Sequence, residues 1–376
     1  MKKLKDGWKN IHLKDILSDD IRNGYSPLPA ENETGYWVLG LGALTDNGLN
    51  KDEIKPVHFE KRVEKSLLEF GDFLVSRSNT PDKVGRSILF KNEIINCSYP
   101  DLMMRFRINE TLAYPYFIEQ YLKTKSIRAY FSNSASGSSK SMVKINKSIL
   151  EKTPLLLPPL EEQIQIAETL STWDNAIQTT EKLLENSRQQ KKALMQRLLK
   201  GNDWLQADLA ELAVISKGSQ LNKNTLLDNG QYAVINGGIE PSGYTDKFNT
   251  ESHTITISEG GNSCGYIGFQ KEKFWCGGHC YALSNLKINC LFLYQLLKYN
   301  EENIMRLRVG SGLPNIQKKA LESFSLSYPQ DINEQQKIAE ILSTADQEIE
   351  TLQRKLECLK LEKGALMQRL LRDGYE

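Results

Sequence analysis

Arginine, asparagine and lysine gather where a strand pattern gives way to a loop, at Ser76-Arg77-Ser78-Asn79-Thr-Pro-Asp-Lys83-Val-Gly-Arg86. Arginine can grip guanine with two hydrogen bonds and asparagine can do the same for adenine, so this loop is a candidate for contact with duplex DNA. A second candidate is the serine-rich run around Ser138 and Lys140, whose small residues let a backbone approach phosphates. The later half repeats the arrangement with other residues. Glu259, Asn262 and Ser263 follow a strand-like run, and Arg306 and Arg308 precede a glycine-rich turn. An acid is compatible with base reading, since Glu259 could accept from cytosine N4. Each of these loops also reads as a solvated turn.

Other chemistry is poorly provided for. No Asn/Asp-Pro-Pro-Tyr/Phe segment offers an adenine-methylating pocket, Ser98-Tyr-Pro-Asp101 having a single proline, and there is no complete Gly-x-Gly cofactor fingerprint after a strand and no Walker A segment. Glu53-Ile-Lys55 matches a nuclease fragment only by its two charged residues. Cys264, Cys276, His279 and Cys280 suggest a zinc site for a moment, but a second clean cysteine pair is lacking and the flanks look like strands. We expect no metal there and cysteines buried in strands.

The elements that must carry these loops are written twice. Glu162-Gln-Ile-Gln-Ile-Ala-Glu-Thr-Leu-Ser-Thr-Trp-Asp174 returns as Glu334-Gln-Gln-Lys-Ile-Ala-Glu-Ile-Leu-Ser-Thr-Ala-Asp346, and Ala-Leu-Met-Gln-Arg-Leu-Leu at 193 returns at 365. One helix-length segment has been copied without a gap. In the first copy positions 166, 170, 173, 177, 180, 184, 187, 191, 194 and 198 form a heptad seam, and the second copy keeps that register from 338 to 370 with Lys363 as its only charged member. Each copy is therefore a coiled-coil arm, roughly 55 to 60 Å long at 1.5 Å per residue. Trp173 and the small Ala345 suit one another as facing residues, and Gly364 is a place for fraying or a bend.

Between the arms the sequence hardly matches, except at its edges. It reads as mixed α/β, with strands expected at Gly71 to Ser76 and Ser252 to Ser258 and short helices near Tyr114 to Tyr130 and Cys290 to Glu302. The division is a first head at 1–158, a first arm at 159–201, a second head at 202–330 and a second arm at 331–376. The formal charge is +1, but residues 1–160 carry 24 Lys+Arg against 19 Asp+Glu, so a polyanion would favour the first head. No apolar run is long enough to span a bilayer, no secretory leader is visible, and six cysteines lack a paired framework. A cytoplasmic location is expected.

Leu157-Pro-Pro-Leu-Glu-Glu-Gln163 followed by Ile166-Ala-Glu, and its partial return at Glu334 to Glu340, resembles the specificity subunits of type I restriction-modification systems, as does the alternation of variable units with repeated helices. The second arm departs from the pattern, having Pro329-Gln-Asp-Ile-Asn in place of the double proline. The resemblance implies an α/β protein with two target recognition domains, each reading half of a bipartite site on double-stranded DNA, and two spacer helices in an antiparallel intramolecular coiled coil with pseudo-two-fold repetition. It implies two methyltransferase subunits as partners, with restriction/translocase subunits joining through the complex. Candidates for helical docking are Glu168, Glu181, Arg188 and Arg197 in the first arm and Glu340, Glu350 and Arg354 in the second. No cofactor is expected on this chain, S-adenosylmethionine, ATP and Mg2+ belonging to the partners. Arm length would set the gap between half-sites, four added residues giving about 6 Å, close to two base pairs. A coiled-coil adaptor for proteins, or a stand-alone DNA-modifying enzyme, are the competing readings.

Overall fold

The computed structural model describes residues 4–139, 142–310, 312 and 314–372. They fall into two compact units, one comprising Met1–Thr179 with Leu356–Glu376 and the other Thr180–Lys355. Each unit therefore holds one head, the near half of one arm and the far half of the other. The arms are continuous helices, Leu160–Leu198 and Ile332–Arg372. The expected seam is present in full, since all ten of its positions in each arm are buried or half-buried. Leu183, Ile341 and Leu361, which lie off it, are exposed. The helix runs unbroken through Gly364.

In the first unit a four-stranded sheet orders Arg22–Asn23, Met103–Phe106, Phe73–Ser76 and Ser87–Leu89. The buried run Phe73-Leu-Val-Ser76 supplies a central strand with both faces covered, Phe73 stacking on Phe106 with ring centroids 4.9 Å apart. Beside it lies a three-stranded sheet of Cys97–Ser98, Trp37–Leu39 and Ile54–Pro56, the first pair parallel. The helix Pro115–Leu122 is opened by a proline, whose fixed φ suits the first turn, and packs Phe117, Ile118 and Leu122 into the core. Ile166, Ala167 and Leu170 of the first arm and Leu371 of the second join the same core.

The second unit repeats this plan with different residues. Its four-stranded sheet orders Val214–Lys217, Cys280–Ser284, Thr254–Ser258 and Ile267–Gln270, and a three-stranded sheet joins Tyr244–Thr245, Tyr232–Ile235 and Phe274–Cys276. Cys290–Tyr299 takes the place of Pro115–Leu122. In each head the first strand pairs with the one that leads into an arm, Lys9–His12 with Pro154–Leu157 and Leu205–Asp208 with Ser325–Tyr328. Among the described residues, no helix is long and apolar enough to cross a membrane.

The entry to each arm is fixed by a buried glutamine. Gln163 accepts from the Tyr114 amide and donates to the Pro158 carbonyl, both at 2.8 Å. Gln335 likewise accepts from the Asn289 amide at 2.9 Å and donates to the Pro329 carbonyl at 2.8 Å. Tyr114 and Asn289 cap the head helices, so one side chain ties head to arm and satisfies end groups that would otherwise be orphaned. The missing second proline at Pro329 therefore leaves the entry geometry intact.

Within each unit the arm segments pair antiparallel. In the second, Ser187 donates to Glu348 at 3.1 Å while Lys191, further along, reaches Asp346. In the first, Lys363 meets Asp174 at 2.6 Å. These pairings replace the expected match of Trp173 with Ala345, because an antiparallel register sets Asp174 beside residue 363 and Asp346 beside residue 191. A head glutamine completes each pair, Gln120 donating to Asp174 at 2.8 Å and Gln295 to Asp346 at 2.7 Å.

Candidate nucleic-acid interface

The two candidate loops of each head, more than forty residues apart in sequence, come together at the exit of the central strand. In the first head a three-stranded sheet orders Ser136–Ser139, Met142–Lys144 and Ser78–Asn79, joining the serine-rich run to the Arg77 loop. In the second, Asn315 forms bridges to both Gly260 and Val309, so that the loops carrying Asn262 and Arg308 meet in the same order. In each head these backbone hydrogen bonds join the two loops.

Backbone hydrogen bonds place Arg77 and Glu259 at the same point of the two heads. The Arg77 amide donates to the Leu102 carbonyl at 2.8 Å and its carbonyl accepts from Ile145 at 2.9 Å. The Glu259 amide donates to His279 at 2.9 Å and its carbonyl accepts from Ile316 at 2.8 Å. Glycines fix the neighbouring turn in both. Gly24 and Gly218 lie so close to the carbonyls of Tyr99 and Pro100, and of Cys276 and Gly277, that a Cβ would overlap them.

Individual candidates divide into presented and sequestered groups. Lys83, Asn262, Arg306 and Arg308 are exposed, and Ser263 is half-buried. Arg77 is half-buried, its guanidinium donating to the Asp101 carbonyl at 3.3 Å and leaving further donors unclaimed by that bond. Ser76 is 1% exposed, with its hydroxyl accepting from Asn79, so its side chain lies within the sheet and is not presented at the surface. Asn79 spends its carbonyl on the Thr80 amide, closing the turn locally. Arg86 turns inward to an ion pair with Asp46 at 3.0 Å, which fixes the far end of the loop. Of the serine-rich run, Ser138 lies on a strand, while Lys140 falls outside the described residues.

Glu259 is enclosed. Its side chain is 14% exposed and is held by an ion pair with Lys217, by His279 Nδ1 at 3.3 Å and by the Tyr281 hydroxyl at 3.1 Å. Burial acts to raise the carboxyl, but the hydrogen bond and charge of Lys217, with Tyr281 and His279, keep it below the usual carboxylate range. The Glu259 carboxylate, weighed above as an acceptor for cytosine, is thus taken up by partners within the head. Lys217 escaped notice in the sequence and His279 was weighed only as a metal ligand, because nothing local links residues 217, 259 and 279. The cysteines beside them, Cys264, Cys276 and Cys280, are buried in the head. Among the described residues no group of three or more His, Cys, Asp or Glu could hold a metal.

On the arms, Glu168, Arg197, Glu340 and Arg354 are exposed and Glu181 is half-buried. Glu168 lines a groove with Tyr114, Tyr116 and Thr172. Two other docking candidates are already engaged within the chain, Arg188 donating to Gln353 at 3.2 Å and Glu350 pairing with Lys271 of the second head at 3.0 Å. The residues that fasten the heads, Gln163, Gln335, Asp174 and Asp346, were missed, although the 172-residue repeat marked all four.

A family model described as the type I restriction modification DNA specificity domain matches residues 5–186 and 201–361. Putative type I specificity subunits of Mycoplasma genitalium and Mycoplasma pneumoniae are 34% and 35% identical to 46% and 48% of this chain, which spans 43% and 46% of their lengths. A putative type I restriction enzyme specificity subunit of Methanocaldococcus jannaschii is 26% identical over 98% of this chain and 93% of its own. Among solved structures, the S subunit of a type I restriction-modification system from M. genitalium superposes with a TM-score of 0.73 at 19% identity, covering 99% of this chain and 98% of that one. A chain from a study of complex assembly and conformational transition of the type I system gives 0.54 at 16% identity, covering 99% of both.

Proposed function

This chain belongs to the type I restriction-modification DNA specificity family, and from that premise we propose that it is the DNA-recognition subunit of such a complex, each head reading one half of a bipartite duplex site. The observation that carries this reading is the repetition of one head plan under two different sequences, each mounted on a copied arm through the same glutamine. Fixed mounts with divergent reading loops suit two unlike half-sites at one spacing.

The exposed Lys83, Arg306 and Arg308 supply phosphate or base contacts, and Arg77 a guanine contact. A net charge of +1 is small for a protein that grips duplex DNA alone, so partner subunits share the neutralisation. Two methyltransferase subunits dock on the exposed arm faces around Glu168, Glu181, Arg197, Glu340 and Arg354. Restriction subunits join through that complex. S-adenosylmethionine, ATP and Mg2+ act on those partners, and this chain supplies specificity without chemistry of its own. Six free cysteines suit the reducing cytoplasm in which such a complex would work.

Methylome sequencing of cells carrying the chain with its partners tests the reading. Expected is one bipartite methylated motif with a constant gap, lost when the chain is removed. A methylome that does not depend on the chain would overturn it.

A further inference from the structure

Arg77 and Glu259 occupy one structural position with opposite charge, and the second head surrounds its acid with groups that the first head lacks. His279 corresponds in place to Leu102, since each accepts from the strand-exit amide through its carbonyl. Lys217 and His279 approach opposite oxygens of the Glu259 carboxylate, Oε1 and Oε2, and their side chains are 50% and 63% exposed. The acid is inside and its two partners face outward.

The carboxylate fixes what the partners can offer. An ionised carboxylate only accepts, so the ring nitrogen of His279 that faces it, Nδ1, must carry hydrogen. In the neutral imidazole this leaves Nε2 as an acceptor, on a side chain that is largely exposed. Lys217 keeps two ammonium hydrogens beyond the one given to Glu259. With the imidazole in that form, a donor and an acceptor share the one carboxylate at the strand exit. Adenine is the base whose major-groove edge shows the matching pair, the N7 acceptor and the N6 donor; guanine shows two acceptors there.

We propose that Lys217 and His279, oriented by Glu259, form a donor–acceptor pair that selects an adenine within the half-site read by the second head. The inference rests on the proposed function. Lys217 and His279 are specificity-determining residues, and Glu259 is a positioning residue that touches no base.

The test uses the full chain in complex with its methyltransferase partners, selecting from randomised duplexes. The unaltered chain defines the two half-sites. His279→Ala, Lys217→Met and Glu259→Gln should each relax the preference for one A·T pair by about 5- to 150-fold, the range of a good paired contact, at one shared position. Arg77→Ala should act in the other half-site. Unchanged preference in His279→Ala, or an equal loss across all positions, would overturn the proposal, the latter marking a phosphate contact or a fold defect. If the unaltered chain selects no bipartite site, the proposed function itself fails. If it does and the variants match it, only the adenine contact fails.

Discussion

Asp174 receives the ammonium of Lys363 at 2.6 Å, a lysine that sits in the apolar seam of the second arm. The same contact returns 172 residues along as Asp346 with Lys191. Lysine in a seam costs stability unless it finds a partner, and one charged pair fixes register where apolar residues alone would slide. The pair in the first unit is unequally buried, Lys363 being 13% exposed and Asp174 43%, so solvent screens part of its attraction. Lys363→Met should cost about 1–2 kcal/mol, and the coupling to Asp174→Asn in a double-mutant cycle should be about 0.5–1 kcal/mol. Urea titration of the four cycle members checks this, and zero coupling would reduce the pair to an incidental contact.

Gln163 gives a larger effect from an uncharged residue. Gln163→Leu preserves size but strips partners from the Tyr114 amide and the Pro158 carbonyl, at about 1–3 kcal/mol for a buried group left unpaired. Amide hydrogen exchange should accelerate at Tyr114 and through the first turn after Pro159, while the second unit keeps its protection. Gln335→Leu should do the converse.

Lys83 and Arg86 were equal candidates as loop cations, and the structure separates them. Lys83→Ala should lower DNA affinity uniformly across sequences and reduce the slope of log affinity against log salt by about 1. Arg86→Ala, which loses its ion pair with Asp46, should leave that slope unchanged and cost roughly 1 kcal/mol of stability in the first head. A filter-binding salt titration beside a thermal melt distinguishes them.

Arm length is testable in steps that respect the seam. Seven residues inserted at the middle of both arms preserve the heptad register, whereas four residues would rotate the apolar stripe off its partner. One added heptad lengthens each arm by about 10 Å, close to three base pairs. Methylome sequencing should show a wider gap between unchanged half-sites, and an unaltered gap would exclude the arms as spacers.

Much of this was legible because helical periodicity and a repeat are local properties of a chain. The seam and the strands Phe73–Ser76 and Thr254–Ser258 lie where hydrophobic spacing put them. Side-chain partners were less accessible. Ser76 is interior because Met103 pairs beside it, and Arg86 is occupied because Asp46 lies forty residues upstream. Glu259, which the sequence left open between an acceptor for cytosine and a turn residue, is held by Lys217 and His279.

By itself the sequence determined two copied amphipathic helices carrying two divergent α/β heads, since that follows from apolar spacing and identity at a fixed offset. Only the tertiary structure decided that Arg77 and Glu259 are counterparts, that Asp174 answers Lys363, and which cations face outward. Those outcomes depend on backbone pairing and on which charge reaches which carboxylate across long loops, and no local pattern encodes them.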